Sequence, residues 1–210
     1  GNDRVRISAN ATGQDTNAWA MRDSSLDTGS GNDRVDLNAS TRAGAFDPAW
    51  GMEGSSLDTG SGNDRLRISA NARGNTTDTI AAYGAVDSQL DTGSGNDRVD
   101  IRAAANNRRG YAEAVGLDSS SLDTGSGNDR VRISASARGQ STNAWAVRDS
   151  SIDTGSGNDH VDLHASTRAG RFDPSWGMEG SSLDTGSGND RVRISANARG
   201  NTTDTIAAYG

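Results

Sequence analysis

Two carboxylates recur at fixed places in one short word. Asp27, Asp58, Asp91, Asp123, Asp153 and Asp184 open six copies of Asp-Thr-Gly-Ser-Gly-Asn-Asp, and Asp33, Asp64, Asp97, Asp129, Asp159 and Asp190 close them. Asp3 closes a truncated first copy. Carboxylates held at such spacing can share a proton in acid–base work, cap a tight corner, or bind a cation.

Acid–base work needs two carboxylates brought together over one proton in a cleft. Asp-Thr-Gly-Ser is also the word that carries the aspartic-protease carboxylate, but here it recurs six times and each time runs on into Gly-Asn-Asp. Such an array offers no lone dyad, so no enzymatic activity is expected. A polysaccharide-active β-helix enzyme needs a cluster that occurs once, and residues 127–210 repeat 1–84 with few changes. The corner reading is chemically sound at Gly29 and Gly31, which permit positive φ, and at Asn32, which tolerates it. Its difficulty is charge. Carboxylates stacked ~4.8 Å apart repel by ~1 kcal/mol per pair in bulk water and ~3–4 kcal/mol at an effective dielectric of about 20. The next column, Arg34, Arg65, Arg98, Arg130 and Arg191 with His160 among them, offers part of the counter-charge. The cation reading answers the repulsion directly, because calcium takes six to eight oxygens from carboxylates and carbonyls on a glycine-permitted loop.

The stretch Thr28-Gly-Ser-Gly-Asn-Asp-Arg-Val35 resembles the RTX, or haemolysin-type, calcium repeat Gly-Gly-x-Gly-x-Asp-x-U-x, with Thr28 in place of the first glycine. In that family calcium lies between turns of successive coils. The resemblance implies Ca2+ as the cofactor and Asp3, Asp33, Asp64, Asp97, Asp129, Asp159 and Asp190 as side-chain ligands. Asp27, Asp58, Asp91, Asp123, Asp153 and Asp184 lie outside the family pattern and are second-choice ligands. RTX motifs follow one another every nine residues; here one motif falls in each coil and lines one corner of a wider helix.

The elements that position these turns follow from the repeat. Gly-Asn-Asp starts at Gly1, Gly31, Gly62, Gly95, Gly127, Gly157 and Gly188, spacings of 30 to 33 residues. After each turn the sequence alternates, as in Val35, Leu37 and Ala39 against Asp36, Asn38 and Ser40, which is a half-buried strand. Short strands are also predicted at Ala18–Met21 and Ser24–Leu26, with loops at Thr41–Pro48 and Ala103–Gly110. Three strands per coil predict an all-β parallel β-helix of about seven coils, 1–30, 31–61, 62–94, 95–126, 127–156, 157–187 and 188–210, forming one continuous segment of a longer array. Aligned coils give aliphatic ladders, an all-alanine ladder from Ala9 to Ala196, and a stripe through Trp19, Trp50, Tyr83, Val115, Trp145, Trp176 and Tyr209. The stripe is expected to pack on itself and not on sugar. Arg6, Asp36, Arg67, Asp100, Arg132, Asp162 and Arg193 alternate in sign, which opposes a one-coil slip.

Composition sets the function class. Only 31% of the chain is hydrophobic, too little for a large globular core, so order must come from stacking repeats. All 21 basic residues are arginine, and the net charge of −7 argues against nucleic acid. Cysteine is absent, and no stretch is apolar enough for a membrane helix. A calcium-stabilised extracellular or cell-surface rod is expected (stalk, fibril or adhesin shaft), whose partners are calcium, its own neighbouring coils and further rods in filaments. The alternative is a self-assembling fibril that needs no calcium.

Overall fold

The alternating segment after each acidic turn forms a ten-residue strand, from Arg4–Gly13 in the first coil to Arg191–Gly200 in the last. In the computed structural model, which describes residues 1–43, 48–169, 173–200 and 206–209, these strands make a seven-stranded parallel sheet. A second seven-stranded sheet runs from Ala18–Arg22 to Ile206–Tyr209, and a third, of six three-residue strands, from Ser25–Asp27 to Ser182–Asp184. Each strand pairs with its counterpart one coil away. The molecule is therefore a parallel β-solenoid of six complete coils and part of a seventh.

Register follows the inward side chains. Val35 lies opposite Leu66, Leu37 opposite Ile68, and Ala39 opposite Ala70. Slipping a strand by one residue exposes all three ladders together. The interior is one side chain thick: Leu37, Leu66 and Ile68 from the first sheet meet Met52 from the second and Leu57 from the third, all buried. Burying each such side chain stabilises by ~1.5–3 kcal/mol, and only the next coil completes the burial. The alanine ladder marks the narrow part of this interior, with Ala39, Ala70 and Ala135 at 0% exposure.

The first-sheet strands outrun the expected length. Loops were expected over Thr41–Pro48 and Ala103–Gly110, yet the strands continue to Ala43 and Asn107. Thr41, Ala105 and Asn107 keep the inward alternation and are buried. Asn107 turns its amide to the carbonyls of Asp78 and Tyr111, at 2.6 and 3.1 Å, so the strand ends without stranding a polar group. Residues 44–47 of the first loop lie outside the described residues.

Between the second and third sheets the chain turns on one left-handed residue, Asp23, Gly54, Asp87, Ser119, Asp149 or Gly180, with φ between 47° and 58°. The serine that follows ties the coils together. Ser88 donates its N–H to Ser120 Oγ at 3.1 Å, and its own hydroxyl donates to Val86 O at 2.7 Å. The alternating charges fall in the expected register, Arg6 opposite Asp36 and Asp36 opposite Arg67. Their ion pairs do not all run between coils: Arg132 reaches Asp162 at 3.4 Å, whereas Asp36 and Asp100 pair at 2.8 Å with Arg34 and Arg102 of their own strands.

Candidate functional site

The corner between the third and first sheets carries the acidic turn, and stacking dictates its glycines. Gly62 has φ +140°, and a methyl there would overlap the Gly31 carbonyl oxygen of the coil before. Gly60, at φ +79°, faces the Gly29 carbonyl in the same way. Between them Ser61 bridges to Ser30 and to Ser94. Ser61 donates its N–H to Gly29 O at 3.0 Å, and Gly31 donates to Ser61 O at 2.8 Å.

The two aspartate columns end on opposite sides of this corner. Asp33, Asp64, Asp97, Asp129 and Asp159 point inward and are 2% exposed. Each accepts on Oδ1 the N–H of the equivalent aspartate in the preceding coil, as Asp97 does from Asp64 at 2.8 Å. Asp190 takes the same bond from Asp159 at 2.9 Å, while Asp3, at the first turn, is exposed and donates its N–H to Asp33 at 2.7 Å. The neighbouring asparagines reach the other way: Asn63 donates its N–H and its amide to Asn32 Oδ1 of the preceding coil, at 2.7 and 3.1 Å. Consecutive residues thus clamp each turn to both neighbours.

Asp27, Asp58, Asp91, Asp123, Asp153 and Asp184 face solvent. From Asp91 onward Oδ1 accepts the N–H of the glycine two residues on, at 2.9 Å in each copy. This is a local turn cap that leaves the second oxygen free of that bond. The structure therefore separates the two columns and does not gather them around one point.

The inward column holds the unusual chemistry. Oδ2 of Asp33, Asp64, Asp97, Asp129 and Asp159 is buried without a hydrogen-bond partner. Beside it lies the threonine that stands in place of the first motif glycine. Thr59, Thr92, Thr124 and Thr154 are 0% exposed, and their hydroxyls are likewise buried and unpartnered. The Thr92 hydroxyl is close enough to ease the Asp97 charge, but it does not close a bond of ordinary geometry. Burial pushes Asp97 up to about 6, against the relief from the Asp64 N–H and Thr92, with the charges of Asp129 and Asp64 adding to the rise. Asp129 is raised for the same reason, burial first. Asp33, near the first turn, is lowered because the Asp3 N–H outweighs its burial. In the outer column Asp91 is raised, by partial burial first and then by the charges of Asp123 and Asp58, against the relief of the Gly93 N–H.

This donor set is of the kind a hard cation requires: oxygen only, buried, with one carboxylate per coil. Two adjacent coils bring two free carboxylate oxygens and two hydroxyls, four of the six to eight oxygens that calcium takes, so turn carbonyls must complete the shell. The carbonyls of Asp58, Gly29, Ser61 and Asp33 already accept N–H groups from adjacent coils. Among the described residues, no three His, Cys, Asp or Glu side chains converge as a metal cluster.

The aromatic stripe and its charged neighbours are paired with one another. Trp19 stacks on Trp50 with ring centroids 4.8 Å apart, Trp50 on Tyr83 at 5.9 Å, and Trp145 on Trp176 at 4.6 Å. Arg22 and Arg148 cover the faces of Trp19 and Trp145, and the two indole N–H groups bond Glu53 and Glu179. The flat faces of Trp19, Trp50 and Trp145, which a sugar ring would need, are occupied. Glu113 accepts both the Tyr83 and Tyr111 hydroxyls at 3.0 Å, and Arg148 binds Asp118 at 2.5 Å. This cluster occurs once, but its groups are paired with one another. Among the described residues no helix is long and apolar enough to cross a membrane. The chain matches no family model, and no curated protein is significantly similar to it.

Proposed function

We propose that this chain is a structural rod of an extracellular or cell-surface protein, whose acidic corner is closed by calcium. The observation that carries the reading is the buried column of carboxylates from Asp33 to Asp159, each with one oxygen unpartnered. A repeated, desolvated negative charge calls for a counter-charge. The resemblance of the turn to the haemolysin-type repeat supports calcium as its source. Asp33, Asp64, Asp97, Asp129, Asp159 and Asp190 would hold the ion, with Asp3 as the first member of the series. The threonine hydroxyls and turn carbonyls would share the shell, and Asp27 and its equivalents would stay outside it. Calcium supplies neutralisation that strengthens coil-to-coil stacking, so binding is coupled to folding. Extracellular modules bind calcium at about 10⁻⁴–10⁻³ M, which suits a staple that closes after export.

A metal-free rod is the second reading. It is favoured by the N–H on every inward Oδ1 and by the raised Asp97, since part of such a column can be protonated instead of metallated. Circular dichroism and melting with calcium and with chelator separate the two. A melting temperature that falls by about 10 °C or more under chelation supports calcium; an unchanged strand signal and melting temperature rule it out.

A further inference from the structure

The outward face of the first sheet is far more basic than the chain that carries it. Its seven strands contain 16 of the 21 arginines and only three acidic residues, Asp36, Asp100 and Asp162. Every one of these charges stands at an odd strand position, outward of the Val and Leu ladders. Sixteen arginines against three aspartates leave the face at +13; with a whole-chain charge of −7, the remainder carries −20. Arg34 lies directly opposite Arg4 and Arg65, and Arg98 opposite Arg65 and Arg130. Like charges directly opposite destabilise a sheet. Among the described residues Arg65, Arg98 and Arg130 are exposed and make no ion pair.

We infer that this face docks a second copy of the chain, whose exposed aspartate corner (Asp58, Asp91, Asp123, Asp153) lies along the arginine column. Three observations select that occupant. The corner carries one solvent-facing carboxylate per coil, and the face carries one leading arginine, or His160, per coil. In both, the spacing is set by the same backbone hydrogen bonds between coils, ~4.8 Å, so a match at one coil is a match along the whole rod. In the later copies the Gly N–H fixes Oδ1 of the aspartate and leaves Oδ2 outward, and a guanidinium fork suits such a carboxylate better than an ammonium does. Arg34 is engaged by Asp36, but no ion pair joins the two columns among the described residues, which leaves Arg65, Arg98 and Arg130 available to a partner. The aspartate and arginine columns flank the same turn, so a two-fold pair satisfies both contacts at once and closes, whereas a head-to-tail pair extends into open arrays of rods.

The inference rests on the rod reading and not on calcium. The test is sedimentation velocity of the 210-residue chain over a concentration series, in about 50 mM and about 1 M NaCl, with calcium and with chelator. Two variants are made. One carries Arg65→Glu, Arg98→Glu and Arg130→Glu; the other carries Asp58→Asn, Asp91→Asn and Asp123→Asn, which keeps an acceptor for the glycine N–H. Circular dichroism of each confirms the solenoid, and loss of strand signal under chelation reports separately on calcium. The wild type is expected to associate at low salt and to run as single rods at high salt. Each variant alone should remain single, and a mixture of the two should associate, because one keeps the corner and the other the face. Single wild-type rods at every salt concentration overturn the inference, as does association that both variants retain. A third arm adds polygalacturonate. If it binds single wild-type rods and not the arginine variant, the face serves an acidic glycan and the second-copy assignment fails.

Discussion

Asp97 has two jobs that pull against each other. Its Oδ1 holds the Asp64 N–H at 2.8 Å, which fastens one coil to the next, while Oδ2 and the Thr92 hydroxyl are buried and unpartnered. Asp97→Asn keeps the acceptor and removes the charge. Without calcium the substitution should raise the melting temperature by a few degrees, since it relieves a buried like-charge repulsion. With calcium it should shrink the stabilisation that the ion confers, since a coordinating oxygen loses its charge. Opposite signs in the two conditions, read by thermal denaturation, distinguish a ligand from a turn cap. Thr92→Val gives the complementary measurement. If the hydroxyl has no ligand, exchanging it for a methyl is neutral or slightly stabilising. If it shares a cation, the calcium-induced shift falls.

At the scale of the turn and its strands, the backbone is stricter than the side chains. Gly95 has φ +135°, and a methyl there would overlap the Gly62 carbonyl oxygen. Gly95→Ala should cost several kcal/mol and open the stack at that coil, appearing in hydrogen exchange as fast-exchanging amides on both sides of the corner. Asp100→Arg acts more gently. It places a third arginine in line between Arg67 and Arg132, and about 1 kcal/mol or less per pair is expected. Much of this level was legible in the sequence. Period-two segments recurring every 30 to 33 residues leave few alternatives to a parallel solenoid, and the Val, Leu and Ala ladders fix its register. The strand ends were not legible, because Thr41 and Asn107 are polar residues that continue inward by finding partners. Thr92 was missed for the opposite reason: a threonine in place of a motif glycine reads as a defect in the pattern, and only the folded corner shows it buried against Asp97. The basic face stood in the odd positions of every first-sheet strand, but a net charge of −7 averages over faces and conceals it.

For the whole molecule, the acidic column makes stability depend on pH, and the sign can be worked out. A carboxyl whose folded value lies above its unfolded one binds protons more tightly when folded, so acid favours the fold. Asp97, raised to about 6 from an ordinary value near 3.8, and Asp129, raised likewise, belong to this class. The Asp97 contribution is fully present below about pH 4 and is lost as pH rises through about 6, and that of Asp129 has the same sense. Asp36, held down by the Arg34 guanidinium, and Asp33, held down by the Asp3 N–H, have the opposite sense. Their stabilisation is lost only as pH falls below the ordinary carboxylate range, outside the window in which the buried pair titrates. A calcium-free chain should therefore melt higher at pH 5 than at pH 8, by about 5 °C or more, the reverse of an ordinary acid denaturation. Calcium competes with the proton for the same oxygens, so saturating calcium should raise the pH 8 value most and flatten the profile. Because each coil is stable only against its neighbours, the effect is shared along the rod, and the transition should move as one unit. A calcium-free melting temperature that falls from pH 8 to pH 5 would show that the inward carboxylates are not the groups that limit stability.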